Sequence, residues 1–113
     1  MKLYNIDHIP GVEIEALGMV RGAVVQSKHI GKDLMAGFKT LVGGELKGYT
    51  EMLTEARQIA TKRMADEAEA LGADAVVNVR YSSSSIMDGA AEVLAYGTAV
   101  KILGPSKEGT VRL

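Results

Sequence analysis

"LVGGELKGYTEMLTEARQIATKRMADEAEALGADAVVNVR", residues 41–80, holds both the largest element of the chain and a change of period. From Glu45 the residues sustain one helix as far as Gly72, a residue suited to the left-handed turn that closes a helix. About 27 residues make a rod of roughly 40 Å, longer than a compact domain of this size is wide. Leu46, Tyr49, Met52, Leu53, Ala56, Ile59, Ala60, Met64, Ala70 and Leu71 share an arc of roughly 140° when placed at 100° steps. The alanines within that arc allow a neighbour to approach closely. After Gly72 the period falls to two: Ala75, Val77, Val79 and Tyr81 alternate with Val76, Asn78, Arg80 and Ser82.

Outward from this stretch the rest of the fold follows. "SSSIMDG" supplies turn residues, and "AAEVLAYGTAVKIL" is apolar enough to be covered on both faces over part of its course. Together with residues 75–82 it predicts a long antiparallel hairpin, its tip between Ser83 and Gly89. Upstream, "GVEIEALGMVRGAVVQS" (11–27) alternates like a strand with one wet face. Gly18 and Gly22 predict a bulge, a bend or a tight crossing, in one bent strand or two short ones. Ile30, Leu34, Phe38 and Leu41 carry the stripe of a short helix, weakened by Gly31 and Gly37. The expected fold is α+β, an antiparallel sheet with one short and one long helix on one face. One domain spans residues 1–103, and residues 104–113 form a solvated tail.

Composition narrows the functional classes. The 113 residues carry a net charge of −1, against the basic excess a general nucleic-acid binder needs. There is no cysteine, which excludes disulfides, thiolate nucleophiles and sulfur-based metal sites. No uncharged apolar run approaches the ~20 residues of a membrane span, and "MKLYNIDHIPGVEIE" lacks the apolar core of a secretory signal. The expectation is a soluble cytoplasmic protein with neither nucleic acid nor membrane as partner.

"GGELKGYTEMLTEARQIATKRMADEAEALGADAVVNVR" followed by "GTAVKI" resembles the YbjQ-like family, often labelled heavy-metal-binding. The glycine pair and glutamate, Tyr49, the Ala56-Arg57 step, "GADAVVNVR" and the late "GTAV" carry the likeness, which covers roughly residues 5–103. The resemblance implies a dodecin-like α+β subunit assembling as a ring, commonly a homopentamer; it brings no established activity. The metal label meets a sparse ligand set. Soft metals favour thiolate and imidazole, and the two histidines, His8 and His29, have only Asp7 and Asp33 as acidic neighbours. No cofactor is expected from one chain, and a metal site shared around a ring axis stays open.

Candidate sites are few. Gly43-Gly44-Glu45 is either an anion-holding helix start or a sharp corner between helices, and Glu45 itself already supplies negative charge at that end. Arg57 and Arg80 are candidate clamps for a small anion, since guanidinium forks suit carboxylates and phosphates; both also suit salt bridges to Glu13, Glu15, Glu45 or Glu67. Tyr49 completes the candidate ligand-binding set with Glu45, Arg57 and Arg80. Arg63 and Glu67 lie inside the apolar arc, four residues apart. Either that part of the rod projects into solvent, or a second subunit covers it and the pair marks an oligomer interface. No nucleophile–base constellation stands out, so no catalytic residue is named. The chain reads as a homo-oligomeric binding or scaffold protein. A metal-binding ring and an enzyme acting on a small anionic metabolite at a subunit interface are the competing readings.

Overall fold

The computed structural model describes residues 1–27 and 44–106, with side chains in the helix described from Gly48 onward. The short helix expected around Ile30–Leu41, Gly43, the pair His29 and Asp33, the Glu45 side chain and residues 107–113 lie outside the described residues. The elements are β1 (Lys2–Leu3), β2 (Val12–Ser27), α1 (Gly44–Ala70), β3 (Ala75–Met87) and β4 (Ala90–Pro105). They form an α+β fold with one four-stranded sheet in the order β1-β3-β4-β2. Among the described residues no helix is long and apolar enough to cross a membrane.

The sheet is mixed, which corrects the antiparallel expectation: β1 runs parallel to β3, while β4 is antiparallel to both β3 and β2. β1 takes the side of β3 away from β4, at Ala75 and Val76, and a bulge extends the contact. Two residues of β3, Asn78 and Val79, face Gly97 of β4, and Asn78 takes a φ of 54°. Their N–H groups turn outward and donate to Ile6 O and Tyr4 O, each at 2.9 Å, so the N-terminal segment follows β3 past its two-residue strand. A β-carbon on Gly97 would lie 2.7 Å from Val76 Cγ1 and 2.9 Å from the Val77 carbonyl.

A second correction concerns the hairpin tip. Ser82 to Ser85 belong to β3, paired with Leu94 through Ala91, and the turn is Asp88-Gly89 alone, with Gly89 at φ 74°. β4 likewise runs on to Pro105, and Ser106 donates to Gly11 O, within the stretch expected to begin the tail. β2 is one strand, and its two glycines act differently. Gly18, at φ 141°, sits at the bulge after Ala16, whereas Gly22 is the tight crossing. A β-carbon there would strike Ala60 O, Met64 N and Arg63 Cβ, so the helix backbone lies directly on the strand.

α1 closes in a Schellman motif: Ala73 N donates to Ala68 O at 3.1 Å and Gly72 N to Glu69 O at 2.9 Å, with Gly72 at φ 80°. Its buried ridge is Met52, Ala56, Ala60, Met64 and Ala68, each four residues on. Four residues turn a helix by about 400°, so the ridge winds obliquely and follows the twist of the sheet beneath. This is why Ala68 is buried while Leu71, placed in the arc by a straight projection, is half exposed. Val20, Val24, Val76, Val93, Ala95 and Ala99 meet the ridge from the sheet. Full burial of a side chain such as Met64 contributes about 2 kcal/mol. On the opposite face Ile9 covers Ala75, Val77 and Val100 at one end of the sheet. Among the described residues no polar or charged residue is buried.

Candidate functional site

α1 lies over β2 and β4 and barely touches β3. The front of β3 is therefore left beside the helix as the far wall of an open groove of about 550 Å³. The helix wall presents Thr54, Arg57, Gln58, Thr61 and Lys62 above Ala65, and Tyr81 forms the strand wall. Hydrogen bonds order this wall. Thr54 Oγ1 donates to Thr50 O at 3.0 Å and Thr61 Oγ1 to Arg57 O at 2.7 Å, so both hydroxyl protons are committed to the helix backbone. Each hydroxyl oxygen then accepts: Thr54 from Arg57 Nη2 at 3.3 Å, and Thr61 from the Tyr81 hydroxyl at 2.8 Å. Lys62 Nζ lies 3.0 Å from Asp66 Oδ2.

The other expected site residues fall elsewhere. Arg80 stands on the opposite face of the sheet, where its Nη1 donates to Asn5 O at 2.8 Å and to Val79 O at 3.2 Å. It pins the N-terminal segment to the bulge and is not brought together with Arg57. Tyr49 is half-buried on the helix and does not line the groove. Thr54, Gln58, Thr61, Lys62 and Tyr81 were not singled out from the sequence. The usable signal was a second helical stripe, 54-58-61-65, aligned with the one exposed aromatic of the adjoining strand.

Arg63 and Glu67 are exposed in the subunit, as one of the two expectations had it, and both also bond to β2. Arg63 Nη1 donates to Ala23 O at 2.7 Å, and Glu67 Oε1 accepts from Arg21 N at 3.3 Å. Among the described residues β2 is an edge strand, and these backbone groups face its open side. The two side chains, one turn apart, satisfy the open edge.

A third cluster ties the helix–strand turn to β4. Asp74 Oδ2 accepts from Ile102 N at 2.7 Å, and Lys101 Nζ approaches Asp74 Oδ1 at 3.5 Å and Gly72 O at 3.2 Å. The Ile102 N–H, together with desolvation-opposed attraction from Lys101, holds the Asp74 carboxyl below its ordinary value of 3.8.

The described residues do not fit a soft-metal site. Asp7 Oδ1 lies 2.9 Å from His8 Nδ1, but no group of three His, Cys, Asp or Glu side chains converges among the described residues, and the chain has no cysteine.

Comparison with known proteins places the chain. A family model described as "Putative heavy-metal-binding" matches residues 1–103. A UPF0145 protein of Clostridium novyi (strain NT) is 63% identical over 103 residues, covering 91% of this chain and 100% of that protein. A UPF0145 protein of Thermosipho africanus is 67% identical, covering 90% of this chain and 95% of that one. A crystal structure from Pediococcus pentosaceus, of a protein of unknown function in the DUF74 family, has a TM-score of 0.56 at 17% identity. That alignment covers 91% of this chain and 98% of the other and shows a shared fold. From "GADAVVNVR" with its Schellman glycine and Asn78 bulge to a match across nearly its whole length, the chain belongs to the YbjQ-like (UPF0145) family.

Proposed function

We propose that the chain is the subunit of a homo-oligomeric ring, a pentamer of dodecin-like subunits, serving as a cytoplasmic binding or scaffold module. The observation that supports this reading is the sheet face turned away from α1. Val20, Gly22 and Val24 point at the helix, so Met19, Arg21, Ala23 and Val25 point the other way, beside Leu94, Tyr96 and Thr98 of β4. Met19 is 75% and Val25 63% exposed, so two large apolar side chains on this face stand open to water.

Shape points the same way. The structure extends 61 × 28 × 19 Å with a radius of gyration of 18.4 Å, against about 13 Å for a compact chain of this length. A slab of 61 × 28 Å has room for the ~800 Å² per partner of a stable interface. Its outer face carries Arg21 and Arg80 of one sign and Glu92 of the other, so a second copy supplies complementary charge.

The test replaces Met19 and Val25 together by lysine. Both side chains are exposed in the subunit, so the fold survives, and far-UV circular dichroism should be unchanged. Sedimentation velocity should show the large species of the parent protein replaced by a small one. Identical sedimentation of parent and variant would remove this face from the assembly.

A further inference from the structure

We infer that the groove between α1 and β3 is a binding site for a small organic anion, a carboxylate or phosphate monoester carried on a flat apolar body. The inference is independent of the ring: it concerns the helix side of the sheet, and every residue it uses belongs to one subunit.

The hydrogen-bond inventory of the groove decides the sign of the ligand. Thr54 and Thr61 have spent their protons on the helix backbone, and the Tyr81 proton goes to Thr61. The charged groups that remain are cations, beside the Gln58 amide, which both donates and accepts, and the Tyr81 oxygen, which can still accept. Arg57 gives one N–H to Thr54 and keeps the rest of its fork, while the Gln58 amide and the Lys62 ammonium stand on the same wall. Among the described residues no carboxylate lines the groove; Asp66, which accepts a hydrogen bond from Lys62, lies outside it. A wall rich in donors and cations and without acids is complementary to an oxyanion. The rest of the surface is apolar: the Tyr81 ring, 47% exposed, the Ala65 methyl and the aliphatic stems of Arg57 and Lys62. An inorganic ion would use the donors and leave that wall wet. An aryl carboxylate or aryl phosphate uses both, its headgroup on Arg57 and its ring against Tyr81.

Arg57 Nη2 lies 3.3 Å from Thr54 Oγ1, which draws the guanidinium along the groove wall. Loss of Tyr81 removes the flat wall without touching the charge.

The experiment titrates the full chain with benzoate, phenyl phosphate and inorganic phosphate at constant ionic strength. Affinity is read by calorimetry, and location by amide shifts in ¹H–¹⁵N spectra. The two aryl anions should bind saturably, with shifts confined to residues 54–65 and 81. Inorganic phosphate should bind more weakly. Arg57→Ala should weaken the aryl anions about tenfold or more, the loss of a charge-assisted pair, and Arg57→Lys by less. Tyr81→Ala should weaken the aryl anions and spare inorganic phosphate. Arg57 is exposed and, among the described residues, its side chain bonds Thr54 alone, so its variants keep the parent circular dichroism and sedimentation. The inference is overturned if no probe saturates by about 10 mM, or if affinity is indifferent to both Arg57→Ala and Tyr81→Ala. It is equally overturned if Arg57→Ala changes the number of subunits in the assembly while no anion binds, which would make the groove a subunit contact.

Discussion

Gly22→Ala should be among the most damaging single-methyl changes in this protein. The added carbon would strike Ala60 O and Met64 N and lie 2.7 Å from Arg63 Cβ. Carbon atoms rest at about 3.5–4.0 Å, so α1 must retreat from β2 by about 1 Å. Two of the three obstacles are helix backbone, which no rotamer change can move aside. A gap of that size forfeits a quarter to a half of each dispersion contact along the ridge of Ala56, Ala60, Met64 and Ala68, and it stretches the Arg63 and Glu67 bonds to the edge. Overpacking of a well-filled core costs roughly 1–3 kcal/mol, and a backbone obstacle places this case near about 3 kcal/mol. For a chain of this size that is a fall in Tm of roughly 10–15 °C. Urea denaturation followed by far-UV circular dichroism, at equal protein concentration, measures it. Gly48→Ala is the internal control: it sits in the same helix with nothing within 4 Å of its β-carbon, and should stabilise by about 0.5–1 kcal/mol. A Gly22→Ala protein within about 0.5 kcal/mol of the parent would refute the close crossing and the packing argument built on it.

Three further outcomes are expected. Arg63→Ala frees the Ala23 carbonyl on an edge strand; the loss should be about 1 kcal/mol or less because the site is exposed, with increased turbidity on heating as unguarded edges pair. Asp74 has a carboxyl held below 3.8 in the folded state, so its stabilisation is fully present above that pH and drains away as acid carries the solution through the folded value. Urea midpoints at acid pH should therefore fall more steeply for the parent than for Asp74→Asn, and parallel curves would exclude the linkage. Gly97→Ala drives a methyl toward Val76 Cγ1 and the Val77 carbonyl and should lower Tm, whereas an unchanged melting curve would mean that the bulge has slack.

Much of this architecture is legible before any coordinates. The period of 3.6 ending at Gly72 and the period of two from Ala75 identify α1, β3 and β4 because burial imposes those spacings directly. What escapes is whatever depends on sheet order. Arg63 and Glu67 look like misplaced charges on an apolar stripe, and nothing along the chain reveals that β2 is an edge among the described strands, its Arg21 N and Ala23 O bonded by these two side chains. The parallel β1 escapes for the same reason, since it pairs with Ala75 and Val76 on the side of β3 away from β4. Serines 82–85 read as a turn by composition, yet the ladder to β4 and a front face uncovered by the helix let them extend as strand. Arg57 was recognisable as a candidate cation from residue type, but its companions Thr61 and Tyr81 are 20 positions apart and meet only across the helix–strand gap.

The assembly through the outer sheet face is tested most directly by native mass spectrometry of the unaltered, untagged protein at micromolar concentration. A single dominant closed multiple of the 12.0 kDa subunit is expected, five copies for the ring. A population composed of single 12.0 kDa chains would contradict it, since Met19 and Val25 would then face water permanently.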